Sequence, residues 1–169
     1  RHPAALDGHT IPAMAPHPAV VFGYQYRSAA VPGALPSDTS LALLNPEDLA
    51  GQPGTRAPGV PIAAEQHEST LDVYGNRLVV LAGRDGEPWL GAARSLSDDL
   101  AVPVDGYRLG HELVAADDTD THAAHGIGPD GAILVRPDGF VAWRSETAAP
   151  DPERMLRTAV TAVLDRAGE

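Results

Sequence analysis

Gly131-Ala132-Ile133-Leu134-Val135-Arg136-Pro137-Asp138-Gly139-Phe140-Val141-Ala142-Trp143-Arg144 reads as one β-hairpin. Ala132–Val135 is an uninterrupted apolar strand, and Phe140–Arg144 returns beside it. Between them the turn has a mechanism. Pro137 sets φ for the second position, Asp138 closes a local hydrogen bond, and Gly139 tolerates positive φ.

The neighbouring elements follow by working outward. Leu78-Val79-Val80-Leu81-Ala82 is a continuous apolar run, suited to a strand buried on both faces. After a turn at Gly83–Glu87, the residues Trp89, Ala92, Ala93, Leu96 and Leu100 recur on one face of a helix, with Pro88 in its first turn. Val102-Pro103-Val104 leads into a strand around Tyr107-Arg108-Leu109. Strand, helix, strand favours a parallel crossover. Beyond the hairpin, Asp151 is an N-cap, Pro152 opens a helix, and Leu156, Val160, Val163 and Leu164 form its buried stripe.

This is an α/β order, and it is the order of the thioredoxin fold. There the redox dithiol sits between the first strand and its helix. Here that stretch is Gly83-Arg84-Asp85-Gly86-Glu87-Pro88-Trp89, which holds no thiol, so disulfide exchange is excluded. Residues 1–66 differ in character. They are rich in Pro, Gly and Ala, with a strand segment at Val20–Val31, a helical turn at Pro46–Leu49 and an extended surface loop from Gly51 to Pro61. The expected division is an irregular arm over 1–66 and a thioredoxin-like domain over 67–169.

Composition narrows the function. The chain has 169 residues, 43 % hydrophobic and 21 % charged, with a formal net charge of −11. A chain near 150 residues buries about 68–70 % of its unfolded surface, enough for a core without staples. There is no Cys, which excludes a disulfide scaffold, a Cys nucleophile and a Cys-ligated zinc module. All twelve basic residues are Arg, and the acidic excess argues against nucleic-acid binding. No apolar run approaches the ~20 residues that span a bilayer. Residues 1–22 lack the continuous apolar segment of a signal peptide, so a cytoplasmic location is expected. Arg1 in place of Met is expected of a segment of a longer chain.

The candidate chemistry is thin. Asp117-Asp118-x-Asp120-x-His122-x-x-His125 would place His122 and His125 on one helical face, where Asp120 could complete a divalent-metal site. The other reading is a polar loop with incidental histidines. Ser28, Ser69 and Ser95 lack a nucleophile-elbow context. Trp89 and Trp143 suit core or interface anchors, and Tyr24 and Tyr26 a packed strand face. Arg56 and Arg144 suit carboxylate partners at an interface, or simple exposure. Arg136 could hold a partner, while Asp138 and Gly139 make the turn.

Gly131–Arg144 closely resembles the end of the flavin-dependent aromatic hydroxylases, of the phenol hydroxylase and polyketide or rifampicin monooxygenase type. Gly23–Val31 is similar to the aromatic-Arg-Ser-Ala segment of that family. Pro53-Gly54-Thr55-Arg56-Ala57-Pro58 resembles its Gly-x-Arg-Ala-Pro motif, and Ser69-Thr70-Leu71-Asp72-Val73-Tyr74-Gly75 its Thr-Leu-Asp segment. Two positions depart from the pattern. Gly59 stands where the family often has His, and His125 where it often has Tyr.

The resemblance implies a non-catalytic accessory C-terminal domain of a larger monooxygenase. Such a domain packs on the flavin and substrate domains of the same chain, shapes subunit contacts or covers the substrate site. Arg56, Asp72, Arg136, Asp138, Gly139, Trp143 and Arg144 would be structural or interface residues. FAD and NAD(P)H would serve the parent, and neither would bind this chain, which lacks a Gly-x-Gly-x-x-Gly fingerprint. Apolar positions that face the other domains would favour a homodimer when left bare. Two other functions stay open: a free-standing binding module with the same fold, and a metal-dependent enzyme using His122 and His125.

Overall fold

The computed structural model describes Gln25, Val31 and residues 49–164. The strand expected at Val20–Val31 and the turn at Pro46–Leu49 lie outside these residues, apart from Gln25, Val31 and Leu49. In chain order the elements are β1 (Pro61–Ala64), β2 (His67–Ser69), a 3-10 turn (Thr70–Val73), β3 (Leu78–Ala82), α1 (Glu87–Leu100), β4 (Val104–Arg108), the short helix α2 (Thr121–Ala124), β5 (Ala132–Val135), β6 (Val141–Ser145) and α3 (Pro152–Val163).

Four strands form a mixed sheet in the order β4-β3-β5-β6. β3 and β4 run parallel, as a crossover through α1 requires. β5 is antiparallel to β3, and β6 returns antiparallel to β5. Leu134 faces Trp143 and Val135 faces Val141, so Ala142 is the extra residue of a bulge. All five residues of β3 are buried, as its unbroken apolar run predicts.

The alternation of β3 divides the core in two. Leu78, Val80 and Ala82 face α1 and α3, together with Leu96, Trp143, Leu156 and Val160. Trp89 and Trp143 meet here with ring centroids 5.3 Å apart, tilted by 59°. The Trp89 indole N–H donates to the Asp130 carbonyl at 2.9 Å, so its polar edge is satisfied inside the core. Leu90, which the stripe reading omits, is also buried. It fits because β4 has Gly106 opposite, where a Cβ would lie 2.9 Å from Leu90 Cδ2.

Helix α3 begins as its sequence predicts. The Asp151 carboxylate accepts from the Arg154 N–H at 2.9 Å, and Pro152 follows. Leu156, Ala159 and Val160 are buried, whereas Val163 and Leu164 pack on the core only in part, where the helix ends. No helix among the described residues is long and apolar enough to cross a membrane.

The opposite sheet face carries Val79, Leu81, Ile133, Val135 and Val141. Among the described residues no long helix covers it. Its cover is Ala57, Ile62 and Val73 with Leu109, Leu113 and Ile127 from the later loops. This corrects the expectation of a surface loop from Gly51 to Pro61. Thr55 is fully buried and Val60 only 3 % exposed. The segment also pairs with the sheet. Gly54 N–H donates to the Val141 carbonyl at 2.7 Å, Val141 N–H to Thr55 at 2.9 Å, and Ala57 N–H to Gly139 at 2.9 Å. These bonds pair the hairpin turn and the first residue of β6 on its outer edge. β1 and β2 form an antiparallel pair, so the division expected at residue 66 falls inside a hairpin.

Candidate functional site

Three sequence-distant segments, each resembling a hydroxylase motif, come together at one groove. Its walls are Leu49, Arg56–Gly59, Leu71, Tyr74 and Pro137–Gly139, and its volume is about 720 Å³. Each wall has a local reason to stand where it does.

The first wall is fixed by the edge pairing. Arg56 and Phe140 are bridge partners, and the Arg56 guanidinium lies 5.0 Å from the centre of the Phe140 ring. That is within cation–π range and leaves the guanidinium edge toward solvent. The second wall is the hairpin turn. Gly139 has φ +78°, and its N–H donates to the Arg136 carbonyl at 2.9 Å. Asp138 accepts from Arg136 at 2.6 Å and from the Phe140 N–H at 3.3 Å. Both turn residues thus act as the local sequence predicts, and Arg136 braces the turn from its own strand.

The third wall is the 3-10 turn. Ser69 and Asp72 make a capping box, in which the Asp72 carboxylate accepts from the Glu68 and Ser69 N–H groups at 2.8 and 2.9 Å. Thr70 is fully buried. Its hydroxyl accepts from Val60 N–H at 2.9 Å and donates to the Pro58 carbonyl at 2.8 Å, tying this wall to the first. Tyr74 Oη is buried without a hydrogen-bond partner. Burial pushes its phenol well up, and the nearby Thr70 hydroxyl, already committed to Pro58, offsets this only weakly. Leu71 is left 51 % exposed at the rim.

A clasp holds the same layer from the far side of β6. Arg144 donates to the Ala50 carbonyl at 2.7 Å and to Glu146 at 2.9 Å, with 17 % of its side chain exposed. Gly126 has φ +62°, and a Cβ there would meet both the Ala50 carbonyl and the Arg144 guanidinium. Of the two arginines expected to find carboxylates, Arg144 does so within the domain. Arg56 has no carboxylate partner among the described residues.

Of the metal candidates only Asp120 and His122 come together, with His122 Nδ1 3.7 Å from the carboxylate, and His125 does not join them. Asp120 caps α2, accepting from His122 and Ala123 N–H groups at 2.9 and 3.1 Å, and these bonds hold its carboxyl low. His122 Nε2 accepts from the Arg84 N–H at 3.2 Å. His125 is fully buried, with Nδ1 2.7 Å from the Thr121 carbonyl and Nε2 unpartnered. Its imidazole is pushed down by desolvation. Among the described residues, no three potential ligands stand close enough to hold an ion.

The β3–α1 turn does not fit a flavin phosphate either. A Cβ at Gly83 would collide with the Gly128 and Pro129 carbonyls, so this glycine admits neighbouring backbone rather than a ligand. Arg84 is 3.9 Å from Asp85, and Glu87 bonds Arg94 at 2.7 Å. These carboxylates oppose a phosphate at the start of α1.

Sequence reasoning named Arg56, Asp138 and Gly139 but not the groove they share, and Asp72 without its part in capping the turn beside it. Leu71 and Tyr74 lay within the quoted Thr-Leu-Asp segment, yet nothing local marked them as walls. Trp143 is a core residue.

The profile of the aromatic-ring hydroxylase C-terminal family matches residues 50–167. A 4-methyl-5-nitrocatechol 5-monooxygenase of a Burkholderia species is 40 % identical over 171 residues, covering 97 % of this chain and 30 % of that protein. A polyketide hydroxylase assigned in Streptomyces coelicolor is 44 % identical over 157 residues, covering 87 % and 24 %. The crystal structure of aklavinone-11 hydroxylase with FAD and aklavinone superposes with a TM-score of 0.79 at 39 % identity, covering 89 % of this chain and 28 % of that one. The chain thus spans 24–30 % of the length of these relatives. By the matched residues and by these identities, it belongs to the aromatic-ring hydroxylase family, in the part that forms the family's C-terminal domain.

Proposed function

We propose that the chain is a thioredoxin-like accessory domain of a larger, FAD-dependent aromatic or polyketide monooxygenase, and that it takes no part in the chemistry itself. The observation that carries this reading is the convergence of the three hydroxylase-like motifs on one groove, where they make turns, caps and edge pairing. None of them presents a nucleophile or an acid–base pair. The thioredoxin-like assignment draws on the strand order β4-β3-β5-β6, the parallel first pair, and α1 and α3 packed on one face. The dithiol position holds no sulfur.

In the parent, FAD and NAD(P)H would do the redox work on domains outside these residues. This domain would pack on them, contribute to subunit contacts or cover the substrate site. The reading is tested by the coding sequence preceding Arg1. A continuous frame with a dinucleotide-binding fingerprint is expected. A stop codon shortly upstream would overturn it in favour of a free-standing module.

A further inference from the structure

The short helix α2 carries two imidazoles, and each holds its place only when neutral. His122 Nε2 accepts from the Arg84 N–H, in the turn between β3 and α1, at 3.2 Å. A backbone N–H can only donate, so this nitrogen carries a lone pair. The ring proton then sits on Nδ1, 3.7 Å from the Asp120 carboxylate. A second proton would set an N–H donor on Nε2 against the Arg84 donor. The bond to the turn would end, while Asp120 would still receive the imidazolium.

His125 is set deeper. It is fully buried, its Nδ1 donates to the Thr121 carbonyl at 2.7 Å, and its Nε2 has no partner among the described residues. The backbone around it meets the covering layer. A Cβ at Gly51 would collide with the His125 carbonyl, and one at Gly126 with the Ala50 carbonyl. Ile127, whose N–H donates to the His122 carbonyl at 3.1 Å, belongs to the second core. Residues 120–127 therefore join the β3–α1 turn to the layer over the second sheet face.

The groups around the two rings set the order in which they take protons. Asp120 faces His122 from its own helix, but its side chain is 69 % exposed, so water screens the attraction. Arg84 lies on the turn, with its guanidinium 3.9 Å from Asp85. From the loop after β4 the His122 ring meets Gly110, and the adjacent His111 pairs with Glu112 at 3.2 Å. Near His125 stand His122, cationic once protonated, and the Arg144 guanidinium beside Gly126. The His122 side chain is 19 % exposed and takes a proton from solvent in place. His125 has no exposed surface and takes one only after α2 moves.

We propose that α2 is a proton-operated latch: neutral His122 fastens the β3–α1 turn, and proton uptake there frees the turn while the sheet stays folded. His125 is the second stage. Its protonation, at lower pH, loosens the end of α2 from the covering segment at residues 50–54. Imidazole is the side chain whose ordinary charge change falls between about pH 5 and 8, so mild acid operates such a latch. The contacts that carry it lie within this chain, and it stands or falls independently of the accessory-domain reading.

Amide hydrogen exchange read by NMR on the full 169-residue chain, from about pH 8 to 5, tests it, with rates corrected for the intrinsic pH dependence of exchange. The ring C–H resonances of His122 give its titration in the same samples. Protection of the Arg84 N–H is expected to fall about tenfold as His122 takes up its proton. The Leu81 N–H in the sheet, and the Asp85 N–H bonded to the Pro129 carbonyl, are expected to keep theirs over that step. His122→Gln presents an amide oxygen that accepts from Arg84 without titrating, and should hold Arg84 protection constant. His125→Asn should leave the Arg84 step in place and remove the later loss at the Ile127 N–H. Arg84 protection that stays constant while His122 titrates overturns the latch. So does a loss shared with Leu81, which reports global unfolding, or the same loss in His122→Gln. An Ile127 loss unchanged by His125→Asn overturns the second stage.

Discussion

The guanidinium of Arg144 on β6 donates to the carbonyl of Ala50, a residue 94 positions earlier, at 2.7 Å. That bond fastens the beginning of the covering layer to the edge of the sheet. Beside it, Gly126 leaves the room the guanidinium needs.

Arg144→Met keeps most of the side-chain volume but leaves the half-buried Ala50 carbonyl without its donor. The expected loss is about 1–3 kcal/mol by urea denaturation. Limited proteolysis near residues 50–54 should quicken in parallel. Unchanged cleavage there would show that the clasp does not hold the segment.

Two glycines separate strain from space. Gly139→Ala meets only positive φ, since the nearest atom to its Cβ is an Arg56 nitrogen at 3.9 Å, and should cost about 1–2 kcal/mol. Gly126→Ala meets positive φ and the occupied Arg144 site, and should cost about 2–4 kcal/mol. Equal losses would refute the packing argument.

Trp143→Ala removes a buried ring from its partner Trp89, with an expected loss of about 3–5 kcal/mol. Trp143→Phe should retain most of the stability while changing the near-ultraviolet dichroism that the paired indoles produce.

His125 links stability to pH. Burial lowers its pKa in the folded protein, so the unfolded chain binds a proton near pH 6.5 that the folded chain refuses. Stability is therefore full above pH 6.5 and falls as pH drops toward the folded value, by at most about 1.4 kcal/mol per pH unit. His125→Asn keeps a donor for Thr121 and should flatten that slope. Glu112 acts lower. Hydrogen bonds from Arg108 hold its carboxyl at about 2, so its stabilisation is full above the ordinary carboxylate value and is lost as pH falls from there toward about 2. Glu112→Gln should lower stability at neutral pH and flatten the profile across that acidic window.

The parts of the fold legible in the sequence are those that local chemistry dictates. The run 78–82, the Pro137-Asp138-Gly139 turn and the Asp151-Pro152 helix start need no distant partner to be recognised. The covering layer was not legible, because Ala57, Val60 and Ile62 are buried by backbone pairing to β6 and β2 within a Pro- and Gly-rich stretch with no regular period. Leu90 lay off the helical stripe and is buried only because Gly106 faces it. For the site, the motif residues were readable one by one. Their meeting at a shared groove depends on Thr70 reaching Pro58 and Val60, which no spacing rule encodes. His125 read as a surface ligand, yet it is buried at the C-terminal end of the short helix that Asp120 caps.

The most direct measurement is an FAD titration of the 169-residue chain, followed by protein fluorescence and by absorbance after gel filtration. An accessory domain without a flavin site predicts a colourless protein with no saturable binding and no NAD(P)H oxidation. A yellow protein retaining one FAD per chain would contradict it.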